Sequence, residues 1–155
     1  MKSLFVLSTL ALSLSSYAAD NCPQAQGRYN KCYSEIRDIK GEYLVDQHQE
    51  NNFEVYTVQY NDDETGDSRT QVFKTNGEKV SSKETLPRIN VTVKIVGSAR
   101  CESNKVVSDS DVYFLGAKVG SFVTTIFLEG NTLKSNIDGA YLGKDLHKRI
   151  VCTKE

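Results

Sequence analysis

The stretch RINVTVKIV, Arg88 to Val96, constrains the fold more than any other part of this chain. Ile89, Val91, Val93 and Ile95 fall on alternate positions, with Asn90, Thr92 and Lys94 between them. A strand sends successive side chains to opposite faces, so a strict period of two predicts one buried and one wet face, as in an antiparallel sheet. The pattern recurs. FEVYTVQY sets Phe53, Val55 and Thr57 against Tyr56, Val58 and Tyr60. SFVTTIFLE is apolar on both faces and rich in β-branched residues, which predicts the most buried strand. In LHKRIVC, Leu146, Ile150 and Cys152 share a face with Lys148.

Turn signals punctuate these runs. Asn76-Gly77, Gly130-Asn131 and Asp138-Gly139 supply the positive φ of tight hairpins, and NDDETGD separates Tyr60 from the run around Gln71 to Phe73. Their spacing predicts roughly eight consecutive antiparallel strands. Tyr33, Ile36 and Ile39 recur every three residues, so Tyr33 to Lys40 could instead form a short helix. Pro23 and Pro87 both lie outside strand interiors, and there is no internal repeat or linker. The fold class is therefore all-β: a single antiparallel meander barrel or strongly curved sheet.

Met1-Lys2 precedes an apolar run from Leu4 to Leu14, and Ser16-Tyr17-Ala18 ends it with small residues at the positions a signal peptidase reads. That order describes a secretory leader over residues 1–18, leaving 19–155 as a single β-rich domain. The run is too short for the roughly 20 residues of a membrane-spanning helix. Cys22 follows Ala19-Asp20-Asn21, a poor match to a lipoprotein signal. With Cys32, Cys101 and Cys152 it makes an even set of four, which in an exported chain reads as two disulfides. Three connectivities are open; the preferred pairing joins Cys22 to Cys32 around Gly27, and Cys101 to Cys152. No C-x-x-C pair exists, and His48 and His147 lie far from any cysteine in sequence, so no metal is expected.

Removing Lys2 leaves one basic residue fewer than the 19 of the whole chain, against 20 acidic ones, with the two signs interspersed. Nucleic acid and anionic membrane surfaces are therefore poor partners on composition. Candidate chemistry is sparse. Asn61 to Asp67 starts like a calcium loop but lacks the closing bidentate glutamate, so a solvated hairpin tip is the simpler reading. Asp109 and Asp111 would share one face of a strand, as paired carboxylates or half a cation site, although a solvated edge explains them more simply. Neither histidine has an implied nucleophile or orienting partner, and both read as surface residues. Asn90-Val91-Thr92 matches a glycosylation sequon. The tyrosines, in a chain without tryptophan, read as core residues with hydroxyls at the rim.

Gly27-Arg28-Tyr29, followed by a run of antiparallel strands, resembles the lipocalin opening, where Gly-x-Trp begins the first strand. Ser108 to Tyr113, SDSDVY, is similar to that family's Thr-Asp-Tyr motif, and Arg149 stands where a lipocalin places the arginine that packs over its tryptophan. Tyr29 replaces the tryptophan, Ser108 and Ser110 replace two of the three motif residues, and no amphipathic helix precedes the last strand. The resemblance implies a barrel whose interior holds a small apolar ligand. The expected function is thus an exported, non-enzymatic small-ligand-binding protein, periplasmic or secreted, monomeric and without a cofactor. The alternative is an exported protein-interaction module or inhibitor acting through loops or a sheet face; an exported hydrolase is a third class that no motif supports.

Overall fold

The computed structural model describes residues 21–34, 38–64, 66, 68–86 and 90–155; the expected leader, Ile36 and Ile89 lie outside them. Among the described residues eleven strands form: β1 (Gly27–Ser34), β2 (Asp38–Ile39), β3 (Gly41–Glu50), β4 (Phe53–Asp62), β5 (Ser68–Lys74), β6 (Val80–Leu86), β7 (Val91–Glu102), β8 (Lys105–Phe114), β9 (Ala117–Glu129), β10 (Thr132–Tyr141) and β11 (Lys144–Lys154). They make one antiparallel sheet in the order β5-β4-β3-β1-β11-β10-β9-β8-β7-β6, with β2 pairing β1 alone. From β3 to β11 the chain meanders. The first strand then inserts between β3 and β11, Gly27 to Tyr29 against Val45 to Tyr43 and Tyr29 against Lys154, and so curls the meander into a nearly closed barrel.

The remaining seam lies between β5 and β6. Among the described residues no ladder spans it; the Gln71 side chain donates to Glu84 at 3.3 Å, and a bridge joins Asn76 to Arg100 near the strand ends.

The all-β expectation holds, but ten strands lie along the path rather than eight. Four two-residue turns, Asn51-Asn52, Ser103-Asn104, Leu115-Gly116 and Leu142-Gly143, were not among the expected signals. Conversely, Asp138-Gly139 is no turn. Both residues lie within β10, paired with His147 and Leu146 of β11. Gly139 serves a close approach instead, since a Cβ there would stand 2.1 Å from the Ser121 carbonyl oxygen of β9. The short helix is also corrected. Tyr33 and Ser34 end β1, and Tyr33 pairs with Asp38 of β2.

The disulfides cross between distant elements: Cys22 bonds Cys101 of β7, and Cys32 of β1 bonds Cys152 of β11. The expected Cys22–Cys32 and Cys101–Cys152 pairs do not form. A bulge explains part of this. Asn30 faces Thr153 and Tyr33 faces Val151, so Lys31 and Cys32 together oppose Cys152, with Lys31 at φ 48°. Without that extra residue the alternation of β1 would not leave both Tyr29 and Cys32 buried, as they are.

The buried core, Tyr29, Val45, Tyr56, Phe73, Ala99, Val106, Leu133, Ile150 and Cys152, gathers at one end of the barrel. The other end is thinly filled. β9 is not the most buried strand, as expected from its two apolar faces. Phe122, Thr124 and Ile126 are only half-buried because they line internal space, while Val123 on the outer face is 42% exposed.

Candidate functional site: a plugged barrel cavity

The face rule identified from alternation places the interior. On β11, Leu146, Lys148, Ile150 and Cys152 all point to one cavity. β4 contributes Tyr56 and Val58, β7 contributes Ile95, and β10 contributes Leu133, Ser135 and Ile137. The cavity has a volume of about 320 Å³. At ~30 Å³ for each water, that is space for roughly ten waters or a medium-length acyl chain. Most of its wall is aliphatic or aromatic. The polar exceptions are few: Gln71, Ser110, Thr124, Ser135, the Tyr43 hydroxyl and Lys148, the one charged residue lining it among the described residues.

One end is sealed by residues 21–26, which have no strand period and run beneath the barrel. Pro23 and Ala25 are both buried. Hydrogen bonds to buried side chains hold this plug. The Tyr56 hydroxyl donates to the Pro23 carbonyl at 2.8 Å, the Ala25 amide donates to Gln47 Oε1 at 2.8 Å, and the Tyr29 hydroxyl donates to the Ala25 carbonyl at 2.8 Å. The Cys22–Cys101 bridge fixes its outer end to β7. At the opposite end the lining reaches solvent, with Leu146 38% exposed, and Gln71 lies exposed along the β5 seam. The cavity is therefore a cup with one stoppered and one open end.

Tyrosines frame the cup. Tyr43 and Tyr60 lie with ring centroids 4.8 Å apart toward the open end. Burial, together with the neighbouring Tyr60, pushes the Tyr43 phenol well above its ordinary value; burial, with Glu54 nearby, does the same for Tyr56, and burial alone raises Tyr29. A raised folded-state value means the neutral phenol is favoured on folding. Stability from this source is complete below the ordinary value of 10.0 and is lost as pH rises above it. Alkaline titration followed by phenolate absorbance should show these three tyrosines ionising late, together with unfolding. Early ionisation of all the tyrosines at their ordinary value would contradict the buried placement.

The other candidates sit outside the cup. Asp109 and Asp111 do share a face of β8, but it is the outer one. Asp109 bonds Arg100, and Asp111 bonds Lys118 at 2.7 Å and accepts from Ser121 at 3.0 Å. His147 contacts Asp138 at 2.9 Å on the outer surface, and exposed His48 lies 3.8 Å from Asp46. In the Asn61–Asp67 segment, Glu64 N–H donates to Asp62 Oδ1 and Lys40 pairs with Glu64 at 3.0 Å, a hydrogen-bonded turn.

Of the motif residues, Tyr29 does fill the inner end of the first strand, wholly buried. Arg149 does not cover it. That guanidinium bonds Asp138 at 3.0 Å on the outer face, because alternation puts Lys148 and Ile150 inward instead. The cation over the Tyr29 ring is Lys154, with Nζ 5.9 Å from the centroid and donating to the Gln26 carbonyl. Ser108 is buried within hydrogen-bond reach of Ser110.

The same architecture occurs in a solved structure, that of apo lipid binding protein 8 from Caenorhabditis elegans, with TM-score 0.52, 17% sequence identity, 84% of this chain covered and 94% of that one. The fold is a lipocalin-like barrel. No family model matches the chain, and no curated protein does. At that identity the likeness is one of fold.

Proposed function

We propose that the protein is an exported, non-enzymatic carrier of a small apolar or amphiphilic ligand held within the barrel. The observation that carries this reading is the apolar cup of about 320 Å³, within the size range of ligand sites, with one basic side chain among its lining. The aliphatic and aromatic wall of such a cup is taken out of water when an apolar guest lies against it, which favours uptake. Lys148, with the hydroxyls of Thr124 and Ser135, offers a place for an anionic or polar head, and Ile126, Ile137 and Leu133 for its tail. The lipid-binding function named for the worm protein of similar fold is in keeping with this chemistry. Two disulfides fit an oxidising compartment, and with the leader over residues 1–18 they support export to the periplasm or beyond. The histidines lie on the outer surface, away from the cup, which favours binding over catalysis.

The test is native mass spectrometry of protein purified from its own envelope or culture fluid without detergent. A mass excess that vanishes on denaturation is expected. Ile126→Trp, which fills the cup, should lower retention of that species at least about tenfold, and Ser135→Leu should act in the same direction. A bare mass, or retention untouched by both substitutions, would remove the reading.

A further inference from the structure

The hairpin tips at the two ends of the barrel differ in a way that turn chemistry does not require. At the plugged end the connections are Asn51-Asn52, Asn76-Gly77, Ser103-Asn104 and Gly130-Asn131, all common turn formers, with Asn51, Ser103 and Asn104 at φ 54°, 51° and 61°. At the open end, two two-residue turns carry leucine instead: Leu115-Gly116 with φ 48° and 85°, and Leu142-Gly143 with φ 50° and 73°. The left-handed region disfavours a branched side chain, and Asn or Gly is the ordinary occupant of both positions. Each leucine is also left in solvent, 90% and 66% exposed. Two leucines thus accept both backbone strain and exposure at matching places.

Those places adjoin one another and the mouth. β9 and β10 are neighbours, so the tips of the β8–β9 and β10–β11 hairpins stand about two strand spacings apart, roughly 10 Å. The Leu142 amide donates to the Val119 carbonyl at 2.8 Å, which ties the second tip to the strand following the first. Leu146, further along β11 from Leu142, is itself both exposed and part of the cavity wall.

The flank beside Leu115 is basic. Lys83 of β6 faces Lys94 of β7, Lys94 faces Tyr113 of β8, and these three line one shallow outer depression with Leu115 and Gly116 and without an acidic residue. Lys118, the second residue of β9, is paired with Asp111, and Lys144, which begins β11, is followed by Asp145. Across the mouth, Asp62, Asp63 and Glu64 cluster at the β4–β5 tip, with Lys40 paired to Glu64. Composition spread evenly along the chain had argued against anionic surfaces; folding gathers these lysines beside the leucines.

We propose that the open end of the barrel docks, on its leucine side, on an anionic lipid bilayer. Leu115 and Leu142 enter the headgroup–acyl boundary, Tyr113 lies at the interface, and Lys83 and Lys94 meet the lipid phosphates. Apolar tips flanked by lysines fit that boundary, whose inner side is hydrocarbon and whose outer side is negative. The docking stands apart from ligand retention, because vesicle binding can be measured on ligand-free protein and either property can fail alone.

The experiment is vesicle co-sedimentation of the whole protein with phosphatidylcholine alone and with added phosphatidylglycerol. The wild type should bind the mixed vesicles, more weakly at high salt, and bind phosphatidylcholine alone poorly. The L115N/L142N variant places a residue suited to positive φ in each turn, so its Tm should hold or rise while vesicle affinity falls at least about tenfold. K83Q/K94Q should lose roughly fivefold for each lysine on mixed vesicles only. Absence of binding to mixed vesicles, or equal binding by folded L115N/L142N, overturns the proposal. Equal affinity for both vesicle types removes its anionic component. Dimerisation abolished by the leucine substitutions, without vesicle binding, assigns the patch to a second copy of the chain and also overturns it.

Discussion

Replacing Cys32 and Cys152 together by alanine is expected to remove about 4 kcal/mol of stability. The bridge spans 120 residues of sequence, and in the chain-entropy account a loop of about 100 residues contributes roughly 4.7 kcal/mol by restricting the unfolded ensemble. The second bridge reduces this somewhat. With Cys22 joined to Cys101, the shortest path from Cys32 to Cys152 falls to roughly sixty residues, and the logarithm changes slowly with length. Both sulfurs are buried among Tyr29, Leu133 and Ile150, so alanine also leaves small voids. The midpoint of thermal unfolding should fall by roughly 10–15 °C. C22A/C101A makes the informative contrast, since it unpins the plug while β1 stays joined to β11. A loss under about 1 kcal/mol for C32A/C152A would mean that the β1–β11 ladder closes the barrel without covalent help.

Tyr29→Ala should cost a similar amount, about 3–5 kcal/mol. Tyr29 is 0% exposed, its ring lies beneath the Lys154 ammonium, and its hydroxyl is the inner fastening of the plug. Tyr29→Phe separates the two contributions. It keeps the ring and strands the Ala25 carbonyl, for about 1–2 kcal/mol. Urea unfolding of both variants measures this directly; equal losses would show that the hydroxyl, not the ring, dominates. Phenylalanine should also loosen residues 21–26, detectable as faster amide exchange there while β8 to β10 remain protected.

What the sequence made legible follows from the range over which each interaction acts. Leu146, Lys148, Ile150 and Cys152 were placed together because alternation along one strand is a local property, and the cavity wall on β11 follows from it. So do Tyr56 and Val58 on β4. The disulfide pairing was not legible, because Cys32 meets Cys152 only through a bulge at Lys31 and the register of two strands at opposite ends of the chain. The plug escaped for a different reason. Pro23 to Gln26 carry no periodicity, and their partners, Gln47 and Tyr56, are chosen by the closed barrel rather than by neighbours in sequence. The leucine turns were missed because Asn-Gly and Asp-Gly pairs were the expected turn signals, and Asp138-Gly139 showed that the dipeptide alone also marks a tight strand crossing. Arg149 failed as the cap of Tyr29 by one position, which in a strand is the difference between the two faces.

The two bridges interleave: Cys32 lies inside the span of Cys22 and Cys101, and Cys101 inside the span of Cys32 and Cys152. On the proposed export route, a chain delivered from its N-terminus would present Cys22 and Cys32 to the oxidant first, when neither native partner has emerged. That early pair is the local mispairing most open to it, and it must be exchanged before β1 can be sewn to β11. Maturation by that route would call for a thiol–disulfide isomerase as well as an oxidase, and a cell lacking the isomerase should accumulate chains that are fully oxidised yet open.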